Sequence, residues 1–216
     1  AHPTLSGSLA ETAAAIEAEG RRAVVVVADL TDAEERARIV PEAVAGLGGL
    51  DVLVNNAAAA IYQPLADFPL KRRRLIFEVN VHAPIDLAQA ALPAMVAAGE
   101  GWIVNLSSGS ARLRPGPPFE ETITGSTLGV YGASKAALNR LTNALAEELD
   151  GTGVRVNTVE PRAAVHSEGA DAHLGDSLDP ELYESMDDMV AGVLECCDCG
   201  PEVSGQVLVS LDLLGK

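Results

Sequence analysis

Aromatic side chains are rare in this sequence. Its 216 residues include one tryptophan, three tyrosines and three phenylalanines, although hydrophobic residues make up 48% of the chain. The core must therefore be built from alanine, valine and leucine, and the apolar fraction is too high for a disordered chain. The length suits one domain, so we predict a single domain over residues 1–216.

Basic residues are scarce as well. Fifteen lysines and arginines stand against 31 acidic residues, which gives a formal net charge of −16. Because nucleic acids and anionic membrane surfaces bind basic faces, this balance argues against both as partners. We find no apolar run long enough to span a membrane and no signal peptide at the start. The acidity is interpreted as a solvated surface.

Cysteine occurs only at positions 196, 197 and 199. An odd number of cysteines in one cluster does not make a disulfide framework. A zinc site would need a fourth ligand, typically from a second cluster, which the sequence does not offer. We predict reduced thiols at a helix end, no metal, and a cytoplasmic protein.

The sequence does contain an alternation of short apolar runs and helical patterns. Continuously apolar runs predict strands that are buried on both faces, and this order predicts a parallel sheet with helices on both sides. The predicted strands are AVVVVADL (23–30), LDVLVNN (50–56), GWIVNLSS (101–108), VRVNTV (154–159) and GQVLVSLDLL (205–214). The predicted helices cover 6–20, a segment from Thr31 that Pro41 breaks or kinks, 67–98, the region around Lys135 up to Leu149, and 180–197.

Polar residues follow these strands where each one ends. The carboxyl ends of parallel strands share one edge of the sheet, and open α/β sheets bind their ligands along that edge. Four separate polar clusters at one edge therefore predict a binding site there. The clusters are Asp29; Asn55 and Asn56; Ser107 and Ser108; and Pro161 and Arg162.

A tyrosine and a lysine, Tyr131 and Lys135, lie four residues apart at the start of a predicted helix. At this spacing both side chains leave the same helix face. Tyrosine has an ordinary pKa of about 10, and a neighbouring ammonium favours its phenolate, so the pair suits proton transfer near neutral pH. Alone, such a pair is more often a core tyrosine beside a solvated lysine.

These motifs together resemble the short-chain dehydrogenase/reductase family. The matching segments occur in the family's order over nearly the whole chain, and the resemblance implies a doubly wound sheet of the Rossmann type. They are ADLTD, DVLVNNAA, FEVNVHAP, WIVNLSSGSA, YGASK and VRVNTVEP.

The resemblance also implies the roles of individual residues. Ser108 would bind the substrate oxygen, Tyr131 would be the acid/base, Lys135 would hold the nicotinamide ribose, and Asn80 would order a water that relays protons to Lys135. The cofactor would be NAD or NADP, and the substrate a small alcohol or carbonyl compound. A homo-oligomer, tetramer or dimer, is expected. Besides Tyr131 and Lys135, the implied cofactor contacts are Asp29, Leu30, Asn56, Ala57 and Ala164.

The sequence departs from the family pattern in three places. The family opens with a strand and a glycine-rich turn, which bind pyrophosphate at a helix N-terminus. No such turn is present, so we expect the chain to lack its N-terminal strand–turn–helix. Arg162 replaces the usual glycine after the proline. The segment between Ser108 and Tyr131 is long, and we expect 109–129 to form a substrate lid.

Alternative interpretations accompany these predictions. The protein could be a dinucleotide-binding regulator or scaffold without catalysis, or a relative of the epimerase/dehydratase group, which shares the Tyr-x-x-x-Lys motif. Asp29 could simply approach the helix cap at Thr31. Asn55 is interpreted as structural and Arg162 as a loop salt-bridge residue, and His82, His166 and His173 have no ligand spacing.

Overall fold

The computed structural model describes residues 7–119, 127–165 and 183–216. Its strands are β1 (Val52–Asn55), β2 (Gly101–Leu106), β3 (Val154–Glu160), β4 (Ala164–Val165), β5 (Tyr183–Glu184) and β6 (Val207–Val209). The main sheet has four parallel strands in the order β1-β2-β3-β6. A second, two-stranded parallel sheet pairs β4 with β5.

Helices precede, connect and follow the strands of the main sheet. They are α1 (Leu9–Ala18), α2 (Ala33–Leu47), α3 (Leu70–Phe77), α4 (Ala83–Ala98), α5 (Gly129–Glu148), α6 (Met186–Cys197) and the short α7 (Ser210–Leu213). A π-helical turn, Glu78–His82, joins α3 to α4, and 3-10 turns occupy Leu65–Asp67 and Gly109–Ala111.

Helices cover both faces of the sheet. Successive strand residues point to opposite sides, so each strand supplies apolar side chains to both faces. On one side Ile103 and Val156 pack with residues of α2, α4 and α5. On the other side Val104 and Val159 pack with Met189 and Cys196 of α6. The prediction of a parallel sheet with helices on both faces is therefore confirmed.

The structure departs from the prediction at the first predicted strand, 23–30. Among the described residues it pairs with no other strand. In the strand order 3-2-1-4-5-6 of a Rossmann sheet, two strands lie between this position and that of β1. Val25 and Val27 are 46% and 71% exposed, as expected for a strand sequence without neighbours.

Several element boundaries also differ from prediction. Helix α2 is capped by Asp32, whose side chain accepts from Glu34 N and Glu35 N, rather than by Thr31, and it continues through Pro41. Helix α6 begins at Met186, after β5, and the last predicted strand ends at Val209, where α7 follows. In the expected lid, residues 120–126 lie outside the described residues, as do His166 and His173.

The helical stretch Leu70–Ala98 is long and apolar enough to meet the criterion for a membrane span, which the sequence analysis did not anticipate. In the structure, Ile76, Leu87, Ala91 and Met95 from this stretch are buried in the protein core. Core helices satisfy the same length and composition test, so we interpret the stretch as a core helix.

Candidate active site at the carboxyl edge of the sheet

Strands β2 and β3 end side by side. Leu106 is in register with Val159, and Ser107 N donates to Val159 O at 2.8 Å. Ser108 therefore follows β2 at the edge where Glu160 ends β3. The predicted convergence of polar residues at this edge is present for β1, β2 and β3.

Tyr131 lies in the first turn of α5 and faces Ser108. The Ser108 side chain is hydrogen-bonded to the phenol. Burial, and next to it the nearby Tyr62 phenol, raise the pKa of Tyr131 to about 12, and the Ser108 hydrogen bond opposes this only in part. The Tyr62 ring stands edge-on to the Tyr131 ring, with centroids 6.1 Å apart.

Lys135 lies one turn further along α5 and is 2% exposed. Its Nζ donates to Leu106 O at 2.7 Å and lies 5.8 Å from the Tyr131 ring centroid. Burial lowers the pKa of Lys135 to about 8. The expected lowering of the Tyr131 pKa by Lys135 is not found in the protein alone: burial and Tyr62 raise this pKa, and the hydrogen bond of Ser108 is what opposes them.

Asn80 sits in the π-helical turn and is buried. Its Oδ1 accepts from Ala59 N at 2.7 Å, and its Nδ2 donates to Ala59 O and to Ser134 Oγ, both at 3.0 Å. Ser134 Oγ in turn donates to Tyr131 O at 2.6 Å. Asn80 is thus linked to the Tyr131 helix through Ser134, and both N–H donors of its side-chain amide are used by protein groups.

The turn that follows Ser108 is held against α5. Ser108 Oγ accepts from Ser110 N at 3.2 Å and from Ser110 Oγ at 3.0 Å. A Cβ on Gly132 would lie 2.4 Å from Ser110 O, so only glycine allows this close approach.

The predicted cofactor residues Asp29 and Leu30 lie at the entrance to α2. Asp29 Oδ1 accepts from Thr31 N and Thr31 Oγ1, both at 2.8 Å, and these hydrogen bonds lower the Asp29 pKa. Buried Arg36, which sequence reasoning missed, donates to Leu30 O and to carboxylates of α4 and the π-helical turn, and so ties this segment to them.

The other predicted cofactor residues lie beyond the strand ends. Asn56 and Ala57 follow β1 and are exposed, whereas half-buried Ala164 belongs to β4. Asn55 is structural, as interpreted, because its Nδ2 donates to Asn105 Oδ1 at 2.8 Å. The structure links Asn80, Ser108, Tyr131 and Lys135 through α5, whereas none of the hydrogen bonds observed among the described residues joins them to Asn56, Ala57 or Ala164.

The turn after β3 contains Arg162 in place of the usual glycine. Its backbone N–H donates to the buried Glu184 carboxylate, and its guanidinium donates to Asp212 Oδ1 and to Lys216 O, both at 2.8 Å. The salt-bridge interpretation of Arg162 is confirmed. Sequence reasoning missed Glu160 and Glu184; a glutamate at the end of the apolar run VRVNTV was the one available signal.

The cysteine thiols lie at the far end of α6. Burial raises the pKa of Cys196 to about 12, and Cys199 Sγ accepts from Asn157 Nδ2 at 3.6 Å. Within the described ranges, no group of three metal-binding side chains is close enough to hold a metal ion.

Comparison with known proteins shows what this chain is similar to. A family model described as short chain dehydrogenase matches residues 4–171. The chain is 36% identical over 159 residues to an uncharacterised NAD-dependent oxidoreductase of Mycobacterium tuberculosis, covering 74% of this chain and 54% of that protein. It is 35% identical over 153 residues to the ketoacyl reductase HetN of a Nostoc species, covering 71% and 50%. The chain therefore spans about half the length of these relatives.

A solved structure is similar over most of its length. A short chain dehydrogenase of Burkholderia cenocepacia in complex with NADP superposes with a TM-score of 0.79 at 32% identity, covering 93% of this chain and 80% of that one. The likeness therefore covers nearly all of this chain.

Proposed function

The chain belongs to the short-chain dehydrogenase family, and from this premise we propose that it is an NAD(P)-dependent oxidoreductase. It would transfer a hydride between a nicotinamide cofactor and a secondary alcohol or carbonyl compound. One observation carries the proposal: the Tyr131 phenol is hydrogen-bonded to Ser108, and the ammonium nitrogen of buried Lys135 lies 5.8 Å from the centroid of its ring. The NAD- and NADP-linked relatives support both cofactors as candidates.

The residues at the sheet edge suit a dinucleotide. The Lys135 ammonium has three N–H donors. Among the described residues, the hydrogen bond observed from it goes to one acceptor, Leu106 O. Ribose hydroxyls would accept from the remaining donors. By family resemblance, Asp29 and Leu30 would meet the adenine, Asn56 and Ala57 the ribose, and Ala164 the nicotinamide side. A bound nicotinamide ring supplies or accepts the hydride.

Proton transfer falls to Tyr131 in this proposal. In carbonyl reduction, negative charge develops on the substrate oxygen and the phenol donates a proton to it. A pKa of about 12 keeps the phenol protonated at neutral pH, as a proton donor requires. Ser108 donates a second hydrogen bond to the same oxygen and so fixes it beside the phenol.

Alcohol oxidation makes the opposite demand on Tyr131. The phenol must first lose its proton, so its raised pKa has to be offset by nearby positive charge. Protonated Lys135 supplies one such charge at 5.8 Å from the ring. Asn80 would act by position, since its amide holds Ala59 and Ser134 in place beneath Tyr131.

A spectroscopic assay tests the proposal. The full-length protein is incubated with NAD⁺ or NADP⁺ and a panel of secondary alcohols, and with the reduced cofactors and ketones, while nicotinamide absorbance is followed. Turnover that Tyr131→Phe abolishes is expected. Dinucleotide binding without turnover of any compound would favour the non-catalytic regulator instead.

Three further features belong to the same proposal: a single dinucleotide-binding and catalytic domain, a homo-oligomeric state and a cytoplasmic location. The three free cysteines favour a reducing compartment. Light scattering of the purified protein measures the oligomeric state, with a tetramer or dimer expected.

A further inference from the structure

The turn that carries Ser108 is anchored at both of its ends. At its start, Ser108 continues from β2, and Ser107 N is bonded to β3. At its end, the guanidinium of Arg112 forms an ion pair with the carboxylate of Glu160, the last residue of β3. Both anchors therefore lie on the same strand of the rigid sheet.

Glu160 is held firmly. It is 1% exposed, and its backbone is in register with Val209 of β6. Ser210 Oγ, which is itself buried, donates to Glu160 O at 3.4 Å. Arg112, by contrast, is 55% exposed. The carboxylate is therefore the fixed partner, and the arginine is the partner that a loop movement would displace.

Stability alone does not explain a carboxylate at this position. Burying the Glu160 carboxylate costs desolvation energy, and apolar residues in place of buried charged groups are often neutral or stabilising. Moreover, Glu160 Oε2 has no protein hydrogen-bond partner among the described residues, although it is buried. An interaction that is costly to bury and still incompletely satisfied suggests a role in specifying a local geometry.

The geometry that it would specify is that of Ser108. Between Ser108 and Arg112 the chain makes one 3-10 turn, closed by Ala111 N to Ser108 O at 2.9 Å and Arg112 N to Gly109 O at 3.2 Å. Because the turn is this short, a shift of Arg112 is transmitted to Ser110 and to its two hydrogen bonds with Ser108 Oγ. The direction of the Ser108 hydroxyl towards Tyr131 depends on those bonds.

We propose that Glu160 and Arg112 are positioning residues, whose ion pair sets the Ser108 hydroxyl for the reaction. This inference rests on the proposed function, since it assigns the pair a role only if Ser108 binds the reacting oxygen. The pair touches neither Tyr131 nor Lys135 in the contacts observed, so it acts through Ser108.

The test measures whether Arg112 acts through Ser108. Arg112→Gln and Arg112→Lys are made in the full-length protein and again in a Ser108→Ala background. Arg38→Gln is the matched control, because Arg38 is 50% exposed, pairs with Glu42 on α2 and has no observed contact with the Ser108 turn. The rate constant kcat, the dinucleotide Kd and the melting temperature are measured for each, with the alcohol or ketone that the parent turns over fastest.

We expect Arg112→Gln to lower kcat by about 10- to 100-fold, as small misplacements of catalytic groups do, with an unchanged dinucleotide Kd. Arg112→Lys should recover part of the loss because it keeps the charge. In the Ser108→Ala background Arg112→Gln should have no further effect. An unchanged kcat, or an equal fold-loss in both backgrounds, would overturn the inference. Full activity of Ser108→Ala would instead contradict the proposed function.

A second readout needs no substrate. The backbone amide NMR resonances of Ser108, Gly109 and Ser110 should shift in Arg112→Gln and stay in place in Arg38→Gln. Unshifted resonances would show that the ion pair does not hold the turn, whatever the activity.

Discussion

The ammonium nitrogen of Lys135 lies 5.8 Å from the centroid of the Tyr131 ring, and the fold shifts both residues against ionisation. Burial raises the pKa of Tyr131 to about 12 and lowers that of Lys135 to about 8. Without a bound cofactor, the protein therefore places a protonated phenol beside a lysine that loses its proton more easily than a free lysine does. Each shift also makes the stability of the protein depend on pH.

Lys135→Met should stabilise the fold at neutral pH. Below pH 8 the lysine is charged in both the folded and unfolded states, and the folded state bears the full cost of burying that charge. A pKa drop from 10.5 to about 8 corresponds to about 3 kcal/mol. Because the substitution also leaves Leu106 O without its donor, we expect a net gain of about 1–2 kcal/mol.

The stabilisation by Lys135→Met should depend on pH. Between about pH 8 and 10.5 the unfolded state binds more protons than the folded state at Lys135, so stability rises with pH. The raised pKa values of Cys196 and Tyr131 act in the opposite sense above pH 9 and 10, but they are common to both proteins. The free energy of unfolding, measured with urea, should differ less between the parent and Lys135→Met at pH 9.5 than at pH 7. Exposed Lys71→Met should leave the free energy of unfolding unchanged at both pH values. A constant difference would contradict the assigned cause.

Asn80→Ala should destabilise the protein by about 2–4 kcal/mol, because it leaves the N–H and C=O of half-buried Ala59 without their partner. Asn56→Ala, at an exposed position, should cost less than about 0.5 kcal/mol. Urea denaturation of both variants measures this. Equal, small effects would mean that the two hydrogen bonds between Asn80 and Ala59, the Ala59–Asn80 clamp, contribute little to stability.

Gly132→Ala should lower kcat as well as stability. Its Cβ would meet Ser110 O at 2.4 Å, so the Ser108 turn must move, at a cost of about 1–3 kcal/mol. Gly129→Ala is the matched control on the same helix, since its nearest neighbour, Leu65 Cβ, is 3.9 Å away. The control should be neutral or slightly stabilising. Thermal unfolding and kcat are compared, and similar behaviour of the two variants would argue against a close-packed turn.

Local patterns predicted much of the fold. The strand ends at Asn55, Leu106 and Glu160 lie within a residue or two of the predicted positions, because short apolar runs mark buried parallel strands directly. Residues 23–29 show the limit of this signal: strand propensity is present, but pairing depends on neighbours that the described residues do not include.

The candidate active site was predictable from the sequence only in part, because some of its contacts depend on residues that are distant in sequence. The spacing of Tyr131 and Lys135 is a local property of one helix. The Ala59–Asn80 clamp and the Arg112–Glu160 pair join residues that are distant in sequence, so no spacing rule indicates them. The raised pKa of Tyr131 also depends on burial by surrounding elements, which the sequence pattern does not quantify.

The open edge of the sheet gives a prediction about the gene. The outer side of β1 pairs with no strand in the described part of the chain, and Val54 is 41% exposed there. Two strands would fit between β1 and residues 23–29. We expect the region upstream of Ala1 to encode them, with a turn of the Thr-Gly-x-x-x-Gly-x-Gly type after the first. Sequencing the parent gene checks this, and an upstream region without such a turn would remove the dinucleotide from the proposed function.

The catalytic assignment of Tyr131 is tested most directly by Tyr131→Phe, because phenylalanine keeps the ring and removes the hydroxyl group whose proton the reaction moves. General acid/base groups contribute about 10² to 10⁴ in rate, or roughly 3–5 kcal/mol of transition-state stabilisation. With the alcohol or ketone that the parent turns over fastest, kcat and dinucleotide Kd are measured for both proteins. We predict that kcat falls by at least about 10²-fold while Kd and the melting temperature stay close to those of the parent. A Tyr131→Phe variant that turns over at the parent rate would show that this tyrosine is structural and that the proposed catalysis is wrong.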